Sequence, residues 1–238
     1  MKNACLILIL LLTGFACTKK KIPQDDSLLG LAYYPTTTGK FVIYDVDSTV
    51  YNNFPTVTIK NTKYRIKEKM ADNFTDNEGK PAIRLERYIK KFNPLKSYDS
   101  IPWTIKEVWM VNADKRSIQV SESNVRYTKL IFPVQQNVSW NGNARNTLGE
   151  WLYTYDYIDK KETINGNILE KVLSVKQKQF RTFISYENYL EKYAKGVGLV
   201  YREITDIYSN NVVQGVPVEG RIETGVIYKQ TLVTYGYE

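Results

Sequence analysis

Trp151, Tyr153, Tyr155 and Tyr157 stand at alternate positions in the segment "EWLYTYDYIDK". Strand side chains alternate between faces, so these four aromatics project from one side while Leu152, Thr154, Asp156 and Ile158 project from the other. A continuous aromatic strip can stack on sugar rings or enclose an acyl chain, with its phenol hydroxyls holding polar groups. Aromatics also favour strands for packing across a sheet, which is the structural alternative. The four are the candidate ligand contacts. Glycan hydrolysis would instead need two carboxyl groups with separated pKa values, one protonated and one ionised. Glu86 and Glu107 are the candidates, because both lie in strand-like sequence.

The 238 residues include no histidine. Ser-His-Asp and Cys-His nucleophile systems are therefore excluded, as are histidine-based zinc sites and HExxH proteases. GxSxG, S-x-x-K and the phosphate-loop GxxxxGK are absent as well. The "GVG" at Gly196 to Gly198 lacks the third glycine of a dinucleotide fingerprint and reads as a corner needing backbone freedom. "DNFTDNEG" offers Asp72, Asp76 and Glu78 to calcium, but Phe74 occupies a ligand position and no glutamate closes the loop. It reads as a hairpin turn. No catalytic residue, metal ligand or cofactor is expected.

The elements that must position the aromatic strip have period-two patterning. Val42, Tyr44, Val46, Ser48 and Val50 share one face, with Asp45, Asp47 and Thr49 on the other. In "KYRIKEKM", Tyr64, Ile66 and Met70 oppose Lys63, Arg65, Lys67 and Lys69. That cationic stripe protects a sheet edge or docks an anionic partner. Residues 56–92 read as a long hairpin around "TDNEGKP". A second pair is expected at 104–112 and 116–132, joined by "NADKR", with further strands at 150–159, 168–183, 197–208 and 221–236. "SYENYLEKYAKG" departs from this pattern: Tyr186, Tyr189, Leu190 and Tyr193 have the spacing of a helix face between a Ser185 N-cap and a Gly196 stop. The expected fold is all-β, an antiparallel meander curved into a barrel or half-barrel, with one short helix near 186–195.

The chain opens with Lys2, an apolar run from Ala4 to Leu12, and small residues up to Ala16. A spanning helix needs about 20 apolar residues, and this run is too short. Residues 1–16 read as a secretory signal peptide. Cys17 follows the cut, and the segment resembles a bacterial lipobox, with Ala16 before the cysteine and Gly14 where leucine is usual. Cys17 is thus the expected lipidation site, acylated by palmitate or a similar chain. Cys5 lies in the leader, so the mature monomer has no disulfide and depends on its core. Residues 17–30, interrupted by Pro23, read as a lipidated tether, and 31–238 as a single β domain. The net charge is +8, from which leader removal takes Lys2. An exported chain meets no nucleic acid; its polyanions would be lipid head groups, lipopolysaccharide phosphates or acidic glycans. Lys19, Lys20 and Lys21 beside the anchor would each contribute about 1 kcal/mol of attraction to an anionic surface.

"YYPTTTGKFVIYDVDSTVYN", "FTDNEGK", "LIFPV", "WNGNA" and "YAKGVGLVYRE" occur in that order along the mature chain. Together they resemble a family of Bacteroidota-type outer-membrane lipoproteins with no assigned activity. The resemblance implies a lipid-anchored protein of the outer membrane. Surface export in such bacteria is associated with acidic residues after the cysteine. Thr18 and Lys19 to Lys21 occupy those positions here, so the periplasmic face is expected and the cell surface is the alternative. "DST" and "DSI" resemble the O-glycosylation sequon of these bacteria, at Ser48 and Ser100. The expected function is non-catalytic binding of a lipid-like amphipathic or glycan ligand. The alternatives are an accessory subunit of an outer-membrane assembly, with an envelope protein as partner, and a carboxylate-dependent glycan hydrolase.

Overall fold

The computed structural model describes residues 25–56 and 58–238; the leader, Cys17 and Lys19 to Lys21 lie outside the described residues. Twelve antiparallel strands form one sheet. They are β1 (Lys40–Asn52), β2 (Thr58–Thr75), β3 (Pro81–Lys91), β4 (Thr104–Ala113), β5 (Ser117–Glu122), β6 (Val125–Ile131), β7 (Ser139–Asn141), β8 (Leu152–Ile164), β9 (Asn167–Arg181), β10 (Ser185–Ala194), β11 (Gly198–Tyr208) and β12 (Thr224–Tyr237). Strands adjacent in the chain are adjacent in the sheet, except that β1 pairs with β12 while β6 and β7 form its two edges. The result is a nearly closed barrel whose seam falls between β6 and β7.

Local chemistry sets the turns. Asp76 Oδ1 accepts from the Glu78 and Lys80 amides, each at 2.9 Å, and closes the β2–β3 hairpin. Asp114 does the same for Arg116 and Ser117 between β4 and β5. Ser123 and Asn124 both have positive φ, the backbone demanded by a tight two-residue hairpin. This turn divides the expected 116–132 strand into β5 and β6. The core is the barrel interior, where Val42, Tyr44, Val46, Ile66, Leu85, Val111 and Leu232 pack with the fully buried Tyr153, Tyr155 and Tyr193.

One expectation is corrected. The predicted helix at 186–195 is β10, paired with both β9 and β11. Tyr189, Glu191 and Tyr193 lie on its inward face, while Tyr186 and Leu190 lie on the other. Large side chains on both faces of one strand imitate helical spacing, and a helix here would leave β9 and β11 unpaired. The described residues before β1 pack on the barrel. Residues 26–29 form a 3-10 turn with Leu29 buried, and the Leu29 carbonyl accepts from the Val134 amide at 3.0 Å.

Candidate functional site

The aromatic strip lies at the barrel seam. Tyr153 and Tyr155 point inward and are 1% and 0% exposed. The Tyr155 hydroxyl accepts from the Ile131 amide at 2.8 Å and donates to the Ile131 carbonyl at 2.6 Å, satisfying the free edge of β6. Trp140 packs on Tyr155 at 4.5 Å and on Tyr153 at 5.8 Å, while its indole N–H donates to the Thr128 carbonyl at 2.8 Å. The Thr128 amide reaches the Gly142 carbonyl at 2.8 Å. Trp151 packs edge-on against Tyr189 at 5.0 Å, and the Tyr157 hydroxyl donates to Glu162. The strip's central tyrosines join two edge strands and present no surface to a ligand in this conformation.

The cations of the β2 stripe face carboxylates. Lys63 is 3.5 Å from Asp47, Arg65 is 2.8 Å from Asp45, and Lys67 and Lys69 reach Glu238 at 2.9 and 3.0 Å. Ser48 is half-buried within β1, and Ser100 is exposed in a 3-10 turn. Glu86 and Glu107 do not form a hydrolytic pair. The β3–β4 register sets Glu86 opposite Val108 and Arg87 opposite Glu107, so the two carboxylates project to opposite faces. Burial opposes the charge of Glu107, but Lys106 and Arg87 more than offset it and hold the carboxyl below its usual range. A general acid requires the reverse shift.

Sequence reading missed an ion cluster inside the barrel. Lys129 contacts Glu122 at 2.8 Å and Glu191 at 3.0 Å; Arg202 contacts the same two carboxylates at 3.0 and 2.7 Å. The Tyr193 hydroxyl donates to Glu191 at 2.5 Å. Beside this cluster Arg87 pairs with Glu68 at 2.9 Å and with Glu107, and its guanidinium lies 3.7 Å from the Trp109 ring centre. Burial works against every charge here. Arg202 and Lys129 nevertheless bring Glu122 down to about 2. Glu191 is lowered and Lys129 and Arg202 are raised by the same partners. A β-bulge places the lysine: Ile118 pairs with Leu130 and Gln119 with Thr128, leaving Lys129 as the extra residue. A signal did exist, since Glu68, Arg87, Glu191 and Arg202 occupy the apolar parity of their strands.

The barrel wall is incomplete beside this cluster. β4 pairs with β5 only over Met110–Ala113, so Thr104–Trp109 has no strand on that side among the described residues. A cleft of about 1110 Å³ occupies the gap, bounded by Val108, Trp109, Met110, Arg126, Arg145 and Leu148. A second cavity of about 380 Å³ lies behind it, lined by Tyr64, Arg202 and Tyr228. The two share Glu107, Trp109, Ser123 and Val125 and are therefore neighbours in the wall. Val108 and Leu148 are exposed at the mouth of the cleft, and Arg145 has no carboxylate partner among the described residues.

No protein-family model matches the chain. No curated protein matches it either. Among solved structures it is similar to a chain described as a "putative lipoprotein" from Parabacteroides distasonis ATCC 8503, with 10% identity and a TM-score of 0.37. The similarity covers 86% of this chain and 98% of that one.

Proposed function

We propose that this protein is a lipid-anchored, periplasm-facing component of the outer membrane that binds an amphipathic or glycan ligand without converting it. The wall cleft carries the reading. It combines the exposed apolar side chains of Val108 and Leu148 with the Arg145 guanidinium, which has no carboxylate partner among the described residues, and with the polar side chains of Ser121, Asn124 and Asn146. Such a mixture suits a ligand with an apolar body and anionic or hydroxyl groups. The cleft replaces the seam tyrosines as the contact surface, because a buried ring cannot stack on a ligand. The anchor rests on the short apolar leader followed by Cys17 and three lysines.

A different observation favours the accessory-subunit reading. Strands alternate in direction, so the β1–β2, β3–β4, β9–β10 and β11–β12 connections share one end of the barrel, opposite Asp25. Phe54, Leu95, Phe183 and Val212 are exposed in those connections. One experiment separates the readings. Native mass spectra of the detergent-purified full chain should show a co-purifying small-molecule mass that disappears in a folded Val108→Asp/Leu148→Asp variant. A bound protein mass unaffected by that variant supports the assembly role instead, and an empty chain counts against ligand binding.

A further inference from the structure

The ion cluster borders a cavity. Arg87, Glu107, Glu122 and Arg202, from β3, β4, β5 and β11, all line the space of about 380 Å³ behind the wall cleft, a volume within the range of small-molecule pockets. Their contacts show that they meet there. Arg87 pairs with Glu107, Arg202 pairs with Glu122, and the Trp109 ring centre lies 3.7 Å from the first guanidinium and 5.9 Å from the second. Arg87 is 4% exposed and Arg202 9%, and the Arg202 Nε–H has no acceptor among the described residues. Tyr64, Tyr127 and Tyr228 add walls from β2, β6 and β12. The Arg87 charge acts on the Tyr64 and Tyr228 phenols and the Arg202 charge on those of Tyr228 and Tyr127, so the three hydroxyls lie near the same pair of guanidinium groups.

The network balances its own charge. Arg87, Lys106, Lys129 and Arg202 supply four cations. Glu68, Glu107, Glu122 and Glu191 supply four carboxylates, and each of these charges has its partner inside the network. A guest with a net charge would therefore bring an uncompensated ion into an enclosed site. A hydrocarbon chain would cover the ionic groups and return no hydrogen bond to them. A sugar hydroxyl does neither: it donates to a carboxylate and accepts from a guanidinium without adding charge. The apolar face of a sugar ring also packs against phenol rings, which the three tyrosines provide.

We propose that this cavity binds an uncharged sugar residue of a glycan. Its hydroxyls exchange hydrogen bonds with Glu122, Arg202 and the tyrosine hydroxyls, and its ring packs against Tyr64 and Tyr127. The inference rests on the ligand-binding reading, narrows the ligand to a neutral glycan and places a sugar residue in the cavity beside the cleft. The test uses the full chain in a polyoxyethylene detergent, which carries no sugar, with calorimetric titration and thermal melts. The probes are the methyl α- and β-glycosides of glucose, galactose and mannose, each paired with its uronate, which adds one carboxylate. At least one glycoside should bind and raise Tm, and its uronate should bind at least about tenfold more weakly. Tyr64→Phe/Tyr127→Phe keeps both rings and should keep its Tm while losing affinity by at least about tenfold, as expected for two lost hydrogen bonds. Val108→Asp/Leu148→Asp, at the cleft mouth, should keep the glycoside affinity. A folded tyrosine variant that binds as tightly as the native chain, or a uronate that binds as tightly as its glycoside, overturns the proposal. Glycoside binding lost only in the cleft variant moves the sugar to the cleft and leaves the ligand-binding reading standing. Absence of binding by every glycoside overturns the inference, whereas the ligand-binding reading fails only if the native mass spectra also show an empty chain.

Discussion

At the scale of single residues, the informative side chains are charges in positions that strand parity reserves for apolar groups. Glu191 sits between Tyr189 and Tyr193 on the inward face of β10 and is almost completely enclosed, yet it contacts Lys129, Arg202 and the Tyr193 hydroxyl. Removing one partner of such a cluster leaves the others buried without compensation. Glu191→Ala should therefore destabilise the fold by about 3–5 kcal/mol, measured by urea unfolding. A loss of less than about 1 kcal/mol would place the cluster in the class of exposed ion pairs. The parity of Glu68, Arg87, Glu191 and Arg202 was open to inspection in the sequence. Their mutual contact was not, because the participating strands are separated by up to half the chain. Lys129 was less legible still, since the bulge that re-aims it depends on how β6 pairs with β5.

At the scale of elements, the short strands β5, β6 and β7 determine both the seam and the cleft. Their brevity leaves part of β4 without a neighbour, and side chains complete the joint where the ladder does not. The seam also explains Gly142. A Cβ at that position would overlap the buried Tyr153 ring, which has no free space to enter. Gly142→Ala should cost about 1–3 kcal/mol through overpacking, seen as a lower urea midpoint. An unchanged midpoint would mean that the seam can open to accommodate a methyl group. Most strands and the Asp76 and Asp114 turns were visible as period-two runs broken by turn residues. β10 was not, because tyrosines on both faces erase the contrast on which periodicity depends. The aromatic strip was expected on one face of a strand, but the β-bulge between Tyr155 and Tyr157 turns Tyr157 to the other face, and a strand pattern does not distinguish a packed seam from an open groove.

For the whole molecule, a charged interior ringed by buried tyrosines makes stability depend on pH at both extremes. Glu122 titrates near 4.5 when unfolded and is held at about 2 when folded. Between those values the unfolded chain takes up a proton that the folded chain refuses, so this contribution is complete above about pH 4.5 and is lost as the pH falls toward 2. On the alkaline side, burial pushes the Tyr44 and Tyr193 phenols well above their usual 10. The unfolded chain releases those protons first, and stability declines as the pH rises through 10. Urea midpoints should therefore be higher at pH 7 than at pH 3 or pH 11, with a shallower acid decline in Glu122→Gln. Equal midpoints at all three values would contradict the enclosed cluster.

The residues by themselves determined an all-β meander and excluded histidine-dependent chemistry, because both follow from side-chain type and local period. Tertiary structure alone decided which aromatics are hidden, which charges meet and where the wall is incomplete. Those properties depend on contacts between distant strands, and the register of a closing barrel is set by all of its strands together.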